Sequence, residues 1–339
     1  MHVTTIGMDL AKNVFQVHGV AEDGEVVFNR SLRRAQVLPF FGRLDPCLVG
    51  MEACGTSHHW ARVLSRLGHE VRLIPPAYVK PYVKRGKSDA VDAEAICEAV
   101  TRPTMRFVEM KSTEQQAVLF LHRARDLIVR QRTQLVNMMR GMLAEFGIVI
   151  GQGIGRAIAF ARAVVAGELP DIPDVARDVI ANLGNQLVAL DMRVRWYELR
   201  MGLEAKRDAR IELLRSIPGV GLITASAIVA TVGSARQFRN GREFAAWLGL
   251  TPLNRSSGGK ERLGRITKMG DRYLRRLLIT GMTARVRQVK SHPARSDPWT
   301  DAILVRKPAR LATVAMANKT ARTIWAMLTR NERFQPRVA

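Results

Sequence analysis

Thr4-Thr5-Ile6-Gly7-Met8-Asp9-Leu10 reads as a buried first strand, because the residues flanking Asp9 on both sides are apolar. A carboxylate among buried strand residues is costly to desolvate unless something cationic compensates it. Cys47-Leu48-Val49-Gly50-Met51-Glu52-Ala53 repeats the pattern as a second short apolar strand ending in an acid. In Lys87-Ser88-Asp89-Ala90-Val91-Asp92-Ala93-Glu94 the two aspartates are three residues apart, so they share a face in the first turn of a helix. Acid brought to one point by three separate elements predicts a divalent-metal site made of Asp9, Glu52, Asp89 and Asp92. Oxygen-only ligands favour Mg2+ or Mn2+ over zinc. Plainer alternatives stand beside this: Asp89 complementing its helix N-terminus with Ser88 as cap, and Glu52 as an exposed strand end. Asp9 resists such alternatives best, because the strand around it is apolar on both sides.

Outward from these acids, residues 3–10, 13–20 and 25–31 read as consecutive strands, the last two joined by the turn Ala21-Glu22-Asp23-Gly24-Glu25. A helix near 34–43, the strand at 47–53, a helix near 57–67 ending at Gly68, and the strand 70–74 follow. Three strands and then helix–strand alternation is the order of a ribonuclease H-like sheet. The segment Tyr78-Val79-Lys80-Pro81-Tyr82-Val83-Lys84-Arg85-Gly86-Lys87 is expected to be a basic loop. Lys84, Arg85 and Lys87 are placed there to hold phosphates near the metals, with an ordinary solvated loop as the alternative.

Charge identifies the partner. Of 53 Lys and Arg, 12 fall in residues 1–100 against 11 acids; the remaining 41 face only 19 acids in residues 101–339. A nearly neutral lobe followed by a highly basic remainder points to a polyanion, nucleic acid above all. No stretch is long and apolar enough to span a bilayer, and the start shows no charged leader, so a membrane partner is not expected and a cytoplasmic location is. Cys47, Cys54 and Cys97 lack metal-ligand or disulfide spacing and read as small buried apolar residues of a reducing compartment. His58-His59 reads as a surface pair at a helix start.

From Ser112 to about Phe146 apolar residues recur at helical spacing between arginines, predicting a long amphipathic helix. A second such pattern runs from about Val175 to Leu213, after a glycine-broken stretch at 147–155. The pair suggests a coiled-coil arm, or an ordinary helical core. Ser216-Ile217-Pro218-Gly219-Val220-Gly221 before an apolar helix has the form of a helix-hairpin-helix, in which Gly219 and Gly221 would offer backbone N–H groups to a phosphate. Residues 253–290 hold 11 Lys and Arg against Glu261 and Asp271. Within them, Arg255, Lys260, Arg262, Arg265 and Lys268 surround a Ser256-Ser257-Gly258-Gly259 turn. The chemistry leaves two readings: a phosphate-binding loop whose hydroxyls donate hydrogen bonds, or a serine nucleophile attacking phosphorus. The sequence thus divides into 1–110, an α/β catalytic domain; 111–210, a helical arm; and 211–339, a mainly α domain with Ala312–Leu328 as its clearest late helix.

Gly7-Met8-Asp9, Met51-Glu52-Ala53, Asp89-Ala90-Val91-Asp92-Ala93, Ser216–Gly221, Leu248-Gly249-Leu250-Thr251-Pro252 and the Ser-Gly loop together resemble one bacterial insertion-sequence family. That family pairs a RuvC-like DEDD domain with a C-terminal serine transposase domain; the similarity is strongest to the eleven-eleven subgroup of the one-hundred-and-ten family, over residues 3 to about 330. The resemblance implies a metal-binding tetrad of Asp9, Glu52, Asp89 and Asp92, and Ser257 as nucleophile, with Ser256 beside it as a departure from the pattern. It further implies donor and target DNA, an element-encoded guide RNA, and dimers pairing into tetramers on the bacterial nucleoid. Two rival classes remain: a Holliday-junction endonuclease using metal-activated water, and a non-catalytic nucleic-acid-binding protein.

Overall fold

Alternation along β1 (Thr5–Leu10) sends Ile6 and Met8 to one side and Thr5, Gly7 and Asp9 to the other, and the first sheet is built around that split. The computed structural model describes residues 2–84, 86, 88–168, 170–254 and 262–335, in two units, Met1–Thr113 and Glu114–Ala339. In the first unit β2 (Val14–Val20) and β3 (Val26–Arg33) pair antiparallel with β1 in succession. A 3-10 turn and the short helix α1 (Val37–Phe41) then lead to β4 (Leu48–Glu52), which pairs parallel with β1. Helix α2 (Ser57–Arg66) carries the chain to β5 (Glu70–Ile74), parallel to β4, giving the order β3-β2-β1-β4-β5.

One face of this sheet buries Met8, Phe15, Phe41, Met51, Trp60 and Leu64 in a single apolar cluster. Each such side chain contributes about 1.5–3 kcal/mol through the apolar area it removes from water. The other face receives α4 (Asp89–Val100), whose Ile96, Ala99 and Val100 pack with Ile74 and Val79. The expected basic loop begins instead as helix α3 (Pro76–Val79) and a 3-10 turn, Lys80–Tyr82. Pro76 and Pro81 sit in their first turns, where the missing N–H is no loss and the fixed φ suits a helix start.

The second unit is mostly helical. α5 (Thr113–Ala144), α6 (Ile154–Val165) and α7 (Asp174–Ala205) enclose Leu135, Met139, Leu143, Ala161, Ile180 and Leu187. Arg125 of α5 bonds Glu198 of α7 at 2.5 Å, and Arg132, seven residues on, bonds Asp191, seven residues back, at 2.7 Å. The two long helices therefore run antiparallel in a seven-residue register. α6 lies in the stretch to which the sequence pattern assigned nothing. The single helix expected over 175–213 is broken, because Asp208 accepts a bond from the Arg210 N–H and starts α8 (Ala209–Arg215) afresh.

The turn 216–221 joins α8 to α9 (Leu222–Val232), and α10 (Gly241–Trp247) leads into a hairpin of β6 (Pro252–Asn254) and β7 (Leu263–Ile266). Helices α11 (Arg272–Ser291), α12 (Pro298–Arg306) and α13 (Ala309–Arg330) complete the unit. Leu214, Ile228, Phe244, Leu278, Ala317 and Ile324 share its core. No helix among the described residues is long and apolar enough to cross a membrane.

Candidate active site

The strands β1 and β4 are in register from Thr5 opposite Leu48 to Met8 opposite Met51, so Gly7 stands opposite Gly50. Gly7 and Asp9 share a face, as do Gly50 and Glu52, because side chains alternate. Helix α4 lies on that face closer than any side chain permits. A Cβ added to Gly7 would stand 2.0 Å from the Ala93 carbonyl oxygen and 2.4 Å from the Cys97 nitrogen; one on Gly50 would meet Val100 Cβ at 2.8 Å. Ala93 lies over Gly7, and Cys97, one turn on, reaches back to the Thr5 oxygen with its Sγ, so the helix runs back along β1 while its end passes over Gly50 of β4. Its first turn, with Asp89 and Asp92, comes over the strand ends that carry Asp9 and Glu52.

Electrostatics agree with this placement. Burial raises the Asp9 carboxyl above its ordinary value of 3.8; the Leu10 N–H, bonded at 2.9 Å, pulls the other way, and the charges of Asp89 and Asp92 raise it further. Glu52 is raised by burial first and then by Asp9 and Asp92. Ser88 caps α4, its hydroxyl accepting from the Val91 N–H at 3.4 Å. As they are placed, no three His, Cys, Asp or Glu among the described residues stand close enough to hold one metal ion. The donor set nonetheless suits a hard divalent cation: oxygens only, on three elements, with Asp9 and Glu52 partly desolvated and under repulsion from neighbouring acids. Such a cation would relieve both penalties and draw the carboxylates together.

The other residues singled out in the sequence fare variously. Lys84 is exposed and bonds Glu94 at 2.5 Å, a surface pair worth little and open to exchange with a phosphate. Arg85, Lys87, Arg255, Ser256, Ser257 and Lys260 lie outside the described residues. Arg262, Arg265 and Lys268 are exposed around the β6–β7 hairpin. Gly219, at φ +87°, is packed backbone to backbone on α11: a Cβ there would meet Met282 Cε at 2.5 Å and the Gly281 oxygen at 3.0 Å. Gly221, the N-cap of α9, faces open space. His58 is half-buried and accepts from the Lys111 N–H at 3.2 Å, a structural tie. Burial pushes the Cys47 and Cys97 thiols up to about 11, whereas Cys54 is exposed, contrary to expectation, because it lies past the end of β4 at the turn into α2.

The hairpin that carries residues 255–261 rests on a tight backbone knot. A Cβ on Gly249 would lie 2.1 Å from the Met269 oxygen, and one on Gly270 would lie 1.8 Å from the Trp247 oxygen. Buried Arg275 donates through Nη1 to the Leu248 oxygen at 3.0 Å and the Met269 oxygen at 2.9 Å, tying both ends together. The arginines of α11 beyond it were not singled out in the sequence. Their signal was the recurrence of cations three or four residues apart from Lys268 to Arg276.

A mixed α/β unit with Asp9 and Glu52 at neighbouring strand ends and Asp89 and Asp92 in the first turn of the covering helix, followed by a mostly helical basic unit, is consistent with a DEDD nuclease-like domain. Comparison with known proteins agrees. The chain matches a DEDD transposase family profile over residues 6–148 and the profile described as "Transposase IS116/IS110/IS902 family" over residues 211–297. It is 50% identical to the "Probable family 20 transposase" of Pseudomonas aeruginosa over 337 residues, 99% of this chain and 100% of that one. It is 40% identical to the transposase for insertion sequence element IS1111A of Coxiella burnetii, over 98% of this chain and 92% of that one. For the transposase of element IS1328 of Yersinia enterocolitica the figures are 36%, 98% and 99%. The chain belongs to the IS116/IS110/IS902 family of transposases, enzymes that cut and recombine DNA.

Proposed function

We propose that this transposase moves an insertion sequence by cutting and exchanging DNA strands through a covalent phosphoserine linkage on Ser257. The observation that carries the reading is the gathering of Asp9 and Glu52 under the first turn of α4, made possible by Gly7 and Gly50. The first unit is then a ribonuclease H-like, RuvC-like domain over about 1–110. Asp9, Glu52, Asp89 and Asp92 are its cation ligands, for Mg2+ or Mn2+. Bound there, the ion supplies Lewis-acid stabilisation of charge on a phosphate. Residues 111–210 form the coiled-coil arm, in keeping with the seven-residue register of Arg125–Glu198 and Arg132–Asp191. Residues 211–339 form the serine transposase domain with its helix-hairpin-helix.

In the first step the Ser257 Oγ gives up its proton and bonds to phosphorus, while the bond from phosphorus to the 3′ oxygen breaks and leaves a 3′ hydroxyl. A 3′ hydroxyl from the partner duplex then attacks the phosphoserine, forming the new phosphodiester and returning the serine hydroxyl. Bond energy is conserved and no nucleotide is consumed. Asp92 and Ser257 are 165 residues apart in the chain, which suits a site shared between subunits of a dimer that pairs into a tetramer. The excess cations of residues 101–339 support polyanion binding, and the resemblance to RNA-guided recombinases extends this to an element-encoded guide RNA beside donor and target DNA.

The test is a denaturing gel of labelled junction DNA incubated with Mg2+, the protein, and RNA from the element's flanks. An adduct lost in Ser257→Ala and Asp9→Asn but kept in Ser256→Ala is the expected result. Cleaved DNA with no adduct, unaffected by Ser257→Ala, would overturn the serine step and leave an endonuclease using metal-activated water.

A further inference from the structure

Helix α11 turns one face outward with Arg272, Arg276, Thr280 and Arg287 on it, and open troughs flank that face. The larger, of about 670 Å3, is walled on its far side by Lys268 and by Arg310 at the start of α13. The smaller, of about 460 Å3, lies between α11 and α5 and is lined by Arg125, Arg130, Gln134 and Asn137. Arg276 and Thr280 line both, so the two are continuous across the helix.

The larger trough contains six cationic side chains and no acid. Arg275 is turned inward onto the hairpin knot, and Arg276 pairs with Asp126. Among the described residues, Lys268, Arg272, Arg287 and Arg310 make no ion pair. Four unneutralised cations sharing one groove repel each other, and a protein keeps such an arrangement where an anion is to be bound. Arg272 and Arg276 stand four residues apart in α11, a rise of about 6 Å along the helix, close to the separation of successive phosphates on an extended strand. The charged wall suits phosphate, and the neutral amides of Gln134 and Asn137 opposite suit sugar and base edges.

We propose that this trough is the track of a DNA strand, gripped through its phosphodiester backbone on its way to Ser257. The choice of DNA over RNA rests on the serine reading given above. Lys268 lies two residues beyond the end of β7, close in the chain to the segment that includes Ser257, and the proposal runs the strand from Arg272 past Lys268 towards that serine.

The test compares the full chain with Arg272→Gln/Arg287→Gln, with the single variant Arg310→Gln, and with an Arg193→Gln/Arg239→Gln control that removes two exposed cations elsewhere. Fluorescence anisotropy would follow labelled single-strand and duplex DNA of the element's terminus, and RNA of the same sequence, over a range of salt. The expected result is at least about 10-fold weaker DNA binding in the trough double variant, with the slope of log K against log[salt] reduced by roughly 0.7–0.9 per arginine. Arg310→Gln should lose about one such unit, and RNA binding should match that of the control. DNA binding equal to the control's overturns the proposal, as does a loss confined to RNA. The covalent-adduct gel, run in parallel at saturating DNA, keeps the two readings apart. Weakened DNA binding in the variants with no adduct even in wild type would sink the serine step alone; a normal adduct with unaltered DNA binding would sink the trough alone.

Discussion

Gly7 and Gly50 face each other across β1 and β4, and neither can bear a side chain while α4 lies where it does. Their relationship sets the height of α4 above the sheet and, through it, the distance from Asp89 and Asp92 to Asp9 and Glu52. Gly7→Ala should cost about 1–3 kcal/mol or more in unfolding free energy, since the neighbours it meets are backbone atoms that cannot swing aside. DNA cleavage should fall further than stability does. Gly141→Ala, at a glycine of α5 with nothing within 4 Å and no positive φ, is a control for overall handling of the protein. Thermal melts and a cleavage assay on both variants check this.

The tetrad gives a pH prediction with a definite sign. In the metal-free protein the folded carboxyls of Asp9 and Glu52 are raised, so the folded state holds protons more tightly than the unfolded chain. Below the unfolded values, near 4, the two states are equally protonated and nothing is lost; stability then declines as pH rises through the raised folded values. Asp9→Asn should therefore melt higher than wild type at pH 7 without divalent metal. Added Mg2+ should raise the wild-type melting temperature by mass action and leave Asp9→Asn little changed, while cleavage by the variant drops about 10²-fold or more. A wild-type melt insensitive to Mg2+ and Mn2+ would contradict the assignment of these acids.

His122 predicts the opposite dependence in the second unit. Its ring, buried on α5, bonds the Tyr273 hydroxyl at 3.1 Å through Nδ1 and the Ser226 hydroxyl at 3.1 Å through Nε2. Burial, with help from the Arg125 charge, lowers it to about 4 from 6.5. Stability is intact above pH 6.5 and is lost as pH falls from there towards 4, because the unfolded chain takes up the proton first. The loss approaches about 3 kcal/mol at its limit. Melts of wild type and His122→Gln between pH 7 and 4.5 should diverge in slope by this component.

Asp191 is buried, accepts a hydrogen bond from Arg132 at 2.7 Å through Oδ1, and forms an ion pair with Arg195 at 3.1 Å through Oδ2. Replacing it by Ala leaves the inner arginine without its counter-charge, and we expect a loss of about 3 kcal/mol. Exchanging the more exposed pair as Arg125→Glu/Glu198→Arg should recover most of what either single change costs, if the seven-residue register of α5 and α7 holds in solution. Urea titrations of the four proteins measure both.

Arg275→Leu should cost about 2 kcal/mol, because the buried Leu248 carbonyl and the partly buried Met269 carbonyl both lose their donor. Arg275→Lys should fall between that variant and wild type, since an ammonium lacks the planar fork of a guanidinium. Melting temperatures rank the three.

Much of the first unit was legible. Strands such as Val14–Val20 announce themselves by alternation and a turn, and an acid within an apolar strand is conspicuous at Asp9. The close approach of α4 to β1 and β4 was not legible, because a glycine in a strand reads only as a weak residue until the helix above it is seen. In the second unit the periodicity of α5 and α7 was plain, but the break at 206–208 was hidden. Asp208 looks like any polar residue in a helical pattern, and only the cap it forms ends one helix and starts another. The hairpin of β6 and β7 was missed because short strands rich in Arg, Gly and Leu carry no alternation. Arg275 was counted among the basic residues, although its charge is spent on two carbonyls inside the protein.

The knot below that hairpin has an evolutionary consequence. Gly249, Gly270 and Arg275 hold the two flanks of the β6–β7 hairpin together, by backbone contact that excludes a Cβ and by two hydrogen bonds. A change at any of the three disturbs both flanks at once, so these positions should vary little among related chains, while exposed hairpin positions such as Leu263 and Arg265 are free to drift.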